Sequence, residues 1–93
     1  MNVVKTDKEI ADKLVSDLLS RQYSLILYDD PKITQDLVLG CLTKYCNHTV
    51  EQAVQCISII ESMGKYAVKQ GSLKSLAPIF TALTHNKLTC EIT

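Results

Sequence analysis

The run Tyr23 to Tyr28, YSLILY, sets the tightest limit on how this chain can fold. It is too short for a helix and long enough for one strand, of a length that suits a central strand with both faces covered. The run stops abruptly at Asp29, Asp30 and Pro31. Proline cannot donate to a ladder and holds the residue before it extended, so 29–33 reads as a loop of defined direction.

Helical periods follow. Thr34 stands as an N-cap before QDLVLGCLTKYC, whose apolar residues Leu37, Val38, Cys41, Leu42 and Tyr45 recur at helical spacing. Asp36 in the first turn suits the helix dipole, and this helix is expected to end near Asn47. Thr49 and Gln52 have capping-box spacing at the head of VEQAVQCISIIESMGK, and Gly64 is a natural stop. The stretch 66–71, YAVKQG, alternates weakly and reads as an edge strand. In SLKSLAPIFTALTHN, Pro78 predicts one turn over 72–76 and a helix that begins at the proline. LTCEIT at 88–93 alternates cleanly, with Leu88, Cys90 and Ile92 on one face.

Upstream, Thr6 and Glu9 form another capping-box pair, followed by Ile10, Leu14 and Leu18 with Ala11, Val15 and Leu19 alongside. A helix this short is marginal alone in water, so 1–22 reads as an N-terminal arm, helical or flexible, and 23–93 as the core domain. The fold class is α+β: a βααβαβ sandwich whose three-stranded antiparallel sheet is covered by helices on one face.

With 93 residues, the chain is expected to form one domain. Ten basic and ten acidic residues cancel without bunching, which argues against nucleic acid or an anionic membrane as partner. No apolar stretch approaches the ~20 residues that span a bilayer, and the N-terminus has no leader pattern, so a cytoplasmic location is expected. Cys41, Cys46, Cys56 and Cys90 read as free, mostly buried thiols used as small hydrophobes. A zinc site from Cys46, His48 and Cys56 lacks the paired spacing such sites use, and neither metal nor cofactor is expected. The sequon NHT at 47–49 has no meaning in a cytoplasmic chain.

Catalysis finds little support. His48 reads as a surface cap between helices and His85 as a helix C-terminal cation, with no nucleophile beside either in a recognisable motif. Asp29 and Asp30, adjacent in extended backbone, point to opposite sides and read as binding or capping carboxylates. No catalytic residue is assigned, and the chain is not expected to be an enzyme.

Four strings carry a likeness to one known family, LILYDD at 25–30, HTVEQAVQC at 48–56, MGK at 63–65 and LTCEIT at 88–93, and the last three keep that family's order and spacing. Together they resemble the ClpS family, the small adaptors that hand N-degron substrates to the Clp ATPase–protease. That resemblance implies a site for a free α-amino group, with an apolar pocket behind it for the substrate's first side chain. Three ammonium hydrogens need converging acceptors, and the side chain needs an apolar hole. Carried over by position, Asp29 falls where the family has asparagine and Asp30 where it has its first aspartate. Pro31 replaces the second aspartate, Gln35 replaces a gating methionine and Glu61 replaces a histidine. Val38, Ile57, Ile60 and Leu88 suit the pocket wall.

The implied function is adaptor binding of substrate N-terminal residues and delivery to the N-terminal domain of a Clp-type AAA+ ATPase, as a monomer. The family's charged docking face corresponds here to SLKSLAPIF, with only Lys74 charged. A module of the same fold without N-degron binding is the alternative.

Overall fold

The computed structural model describes residues 6–93. The arm's first five residues lie outside that range. Helices and strands follow one another as α1 (Asp7–Ser20), β1 (Tyr23–Tyr28), α2 (Gln35–Tyr45), α3 (Val50–Met63), β2 (Lys65–Gly71), α4 (Leu73–His85) and β3 (Cys90–Ile92). The fold is α+β with one three-stranded antiparallel sheet, in the order β2-β1-β3.

β1 is the central strand, as its apolar run predicts, but helices cover only one of its faces. Leu25 and Leu27 are buried, whereas Ser24, Ile26 and Tyr28 on the other face are half-buried. The inward side chains meet Cys41, Leu42, Cys46, Ala53, Cys56, Ile60, Leu76 and Leu83 from the helices in one core. β2 is an edge strand, as expected, and carries a bulge: Leu25 pairs with Lys69 and Ile26 with Ala67, so Val68 is the extra residue. β3 is shorter than its alternating sequence suggests, and Leu88 is buried just ahead of it.

Side-chain caps set the helix ends. Thr6, Thr34 and Thr49 accept from the backbone N–H groups of Glu9, Leu37 and Gln52, and the Gln52 side chain accepts in return from the Thr49 backbone N–H. α3 ends at Gly64, whose φ of 85° only glycine adopts without strain. α2 stops slightly early, capped at Cys46, and Asn47 takes φ 59°.

The expected break before Pro78 does not occur. α4 starts at Leu73, after Ser72 whose hydroxyl accepts from the Ser75 N–H, and runs through the proline. Pro78 leaves the Lys74 carbonyl without its helical donor, but both residues are exposed, so water can take that place. Pro78→Ala is therefore expected to stabilise the fold. Restoring an interior helical position is worth about 3 kcal/mol, less about 1 kcal/mol for the looser unfolded chain, leaving a net gain of about 2 kcal/mol in denaturant unfolding.

α1 forms the predicted amphipathic helix but buries none of its residues. Ile10, Leu14, Val15, Leu18 and Leu19 are each about half exposed. The radius of gyration is 17.2 Å. A compact domain of this length has a radius of about 12 Å, so α1 projects from the core.

All four cysteines are free; Cys41, Cys46 and Cys56 are buried and Cys90 is half-buried. Burial pushes the Cys46 thiol from 9.0 up to about 11, against the pull of the Lys69 ammonium. Between those values the folded chain keeps a proton that the unfolded chain has released, so stability falls as pH rises. Across that window Cys46 is expected to remove roughly 2 kcal/mol, allowing for partial screening by solvent. Cys46→Ala lacks this group, so its stability deficit in urea titrations should shrink by a similar amount from pH 8.5 to pH 11.5.

Candidate functional site

The loop after β1 is tied to the end of α3. The Asp29 N–H donates to the Gly64 carbonyl at 2.8 Å, which brings the acidic turn beside the helix that carries Glu61. Within the turn, the Asp30 carbonyl accepts from Ile33 N–H at 3.0 Å, and its Oδ1 accepts from Lys32 N–H at 2.9 Å. One Asp30 oxygen thus shapes the loop and the other stays available. Thr34 then starts α2, with Gln35 at its first position. Gln35 and Val38 are three residues apart on α2, and Ile57, Ile60 and Glu61 share one face of α3, so the two helices present them together.

These side chains surround a cavity of about 270 Å³. All eight residues singled out in the sequence line it: Asp29, Asp30, Gln35, Val38, Ile57, Ile60, Glu61 and Leu88. Buried Leu27, Ile60 and Leu88 form its floor, while exposed Asp29, Gln35 and Glu61 and half-buried Asp30 form its rim. The rim carries three carboxylates, and among the described residues no lysine or arginine lines the cavity. Gln35 reaches across the mouth, its Nε2 donating to both Glu61 oxygens at 2.9 Å. That contact leaves the Gln35 carbonyl oxygen as a further acceptor.

An apolar hole ringed by acceptors is suited to a ligand with an apolar side chain next to a cation that donates several hydrogen bonds. Leu27, Tyr28, Ile33 and Thr89, to which the sequence assigns no site role, also line the cavity, as does Pro31 at the second-aspartate position. The signal of the first four was position alone, since three flank the acidic turn and Thr89 follows Leu88. Tyr28 donates its phenol hydrogen to Glu91. That bond, with burial and the Glu91 charge, pushes the phenol's pKa up.

His48 is not the surface cap expected. It is half-buried, with Nε2 at 2.7 Å from the Val68 carbonyl at the β2 bulge. A carbonyl only accepts, so Nε2 carries the hydrogen, and Nδ1 is left to accept from the Cys56 thiol at 3.7 Å. Burial raises the Cys56 pKa and holds it as a thiol, so the pair braces the bulge and does not supply a thiolate nucleophile.

The family model described as ATP-dependent Clp protease adaptor protein ClpS matches residues 19–91. The chain belongs to the ClpS family. No individual curated protein matches it. Membership makes the chain a ClpS-family adaptor of the ATP-dependent Clp protease, with the ATPase and its substrates as partners in general terms. The matched span contains every residue lining the cavity and excludes most of α1. Among the described residues no helix is long and apolar enough to cross a membrane.

Proposed function

We propose that this ClpS-family chain binds the free N-terminus of substrate proteins in the cavity between α2, α3 and the end of β1, and delivers them to a Clp ATPase–protease. The observation that carries this reading is the meeting of Asp29, Asp30 and Glu61 with an apolar floor in one cavity. Asp29, the free oxygen of Asp30, and Glu61 hold the α-ammonium. Val38, Ile57, Ile60 and Leu88 receive the first side chain. The negative rim keeps the acceptors an ammonium needs even though asparagine and histidine have become Asp29 and Glu61.

Gln35 limits what enters. Its amide at the mouth makes a wide aromatic side chain cover a polar group that loses water, so medium aliphatic residues such as leucine are favoured over tryptophan. We take 1–22 as the arm, of which 1–5 lie outside the described residues, and 23–93 as the binding domain.

Reconstituted degradation tests the delivery step. A Clp ATPase–protease should degrade a reporter beginning with leucine faster when the full chain is present, and a reporter beginning with alanine at an unchanged rate. Equal acceleration of both, or of neither, contradicts the proposal.

A second reading, an interaction module without N-degron binding, draws on the face of α4. In the stretch 72–80 only Lys74 is charged, so a charged docking face for the ATPase has been lost or rebuilt there. Acceleration of the leucine reporter alone would exclude this reading.

A further inference from the structure

The hydrogen-bonded pair Gln35 and Glu61 lines two cavities, not one. A second, half-open cavity of about 190 Å³ lies between α2 and α3, again lined by Gln35, Ile57 and Glu61, and also by Asp36, Leu39, Val54 and Ser58. Ile57 and half-buried Leu39 give this chamber apolar walls, together with half-exposed Val54. Asp36 and Glu61 give it two carboxylates, and among the described residues no basic side chain lines it. The two chambers are therefore adjacent, sharing Gln35, Ile57 and Glu61.

We infer that the second chamber is a subsite for the side chain of the substrate's second residue, and that it selects lysine or arginine. This rests on the reading that the main cavity holds the first residue. Successive Cα atoms lie about 3.8 Å apart, so a second residue leaving the rim is within reach of a chamber that shares the rim's own side chains. The chamber's chemistry then names the occupant. A long aliphatic stem lies along Leu39, Val54 and Ile57, and its cationic head reaches Asp36 and Glu61, as basic side chains do when they bury the stem and keep the charge wet. A second-position aspartate or glutamate meets like charge. A short residue leaves the chamber unfilled.

Glu61 serves both chambers, contributing one carboxylate edge to the α-ammonium and the other to the second-position cation. Gln35 fixes that carboxylate between them through its two bonds. The subsite depends on Asp36 for its second charge and on the apolar wall for the stem.

Fluorescence anisotropy with the full chain and peptides beginning Leu-Lys, Leu-Arg, Leu-Ala, Leu-Asp and Leu-diaminobutyrate tests this at low salt, with N-acetylated forms of each as controls. Leu-Lys and Leu-Arg should bind about fivefold or more tightly than Leu-Ala, with Leu-Asp weakest, a margin that salt reduces. Diaminobutyrate, with the charge on a shorter stem, should fall well below lysine, which separates a walled chamber from a general negative field. Asp36→Lys should remove the lysine preference and favour Leu-Asp, and its thermal midpoint reports that the fold is intact. If free peptides bind far better than acetylated ones but do not differ at the second position, the subsite is overturned and the proposed function stands. The subsite is likewise overturned if diaminobutyrate equals lysine or if Asp36→Lys keeps the lysine preference. If free and acetylated peptides bind alike, the proposed function falls and the subsite with it.

Discussion

Leu27→Ala is expected to lower the unfolding free energy by about 3 kcal/mol, within the range for a large-to-small change in a packed core. Leu27 is 2% exposed, faces the helices from the central strand, and pairs with both Tyr66 and Cys90 across the sheet. Its neighbours belong to β2 and β3 as well as to the helices, so they cannot all close on the space left behind. For a domain of this size the change should lower the thermal midpoint by roughly 12–24 °C. Leu27 also lines the floor of the main cavity, so affinity for an N-terminal leucine should fall in the same variant even at temperatures where it remains folded. Thermal unfolding and a peptide titration in the cold, well below the lowered midpoint, measure the two effects separately.

A larger functional effect is expected at the rim. Asp30→Asn keeps an oxygen to accept from Lys32 N–H, and so keeps the loop, but removes the charge. Glu61→Gln does the same on α3. A hydrogen bond to a charged group contributes about 1.5–3 kcal/mol, so each change should weaken binding of a free N-terminus about tenfold or more. The double variant should lose more than either single one but less than the product of the two, because both groups act on one ammonium. The thermal midpoint should barely move in either single variant. If the carboxylates only terminate the strand and satisfy loop amides, Asp30→Asn leaves peptide binding where it was.

Much of the fold can be read from local chemistry. The limits of β1, the threonine caps of α1, α2 and α3, and the stop at Gly64 each depend on residues within a few positions of one another. The departures involve what a local rule leaves out. Pro78 removes a helical hydrogen bond, which locally argues for a boundary, but the cost depends on whether the freed carbonyl reaches water, and only the exposure of Lys74 and Pro78 reveals that. The bulge at Val68 puts an extra residue between Ala67 and Lys69 against the neighbouring pair Leu25 and Ile26, and weak alternation in YAVKQG carries no sign of it. His48 braces that bulge from twenty residues away, a contact that belongs to tertiary structure.

The candidate site divides in the same way. Its eight residues are legible because the family resemblance supplies their positions, and the structure brings them to one cavity. The Gln35–Glu61 contact is not legible, since nothing in two residues 26 apart says that an amide on α2 faces a carboxylate on α3. That contact puts a polar pair where the family has a hydrophobic gate, and both of its residues also line the second chamber.

The central claim, that the cavity holds a free α-amino group above an apolar floor, is tested most directly by one titration. The full chain is titrated with a labelled peptide beginning with leucine, and with the same peptide N-acetylated. Acetylation removes the charge and two of the three donors, so the acetylated form is expected to bind at least about a hundredfold more weakly. Equal affinity for the two peptides would contradict it.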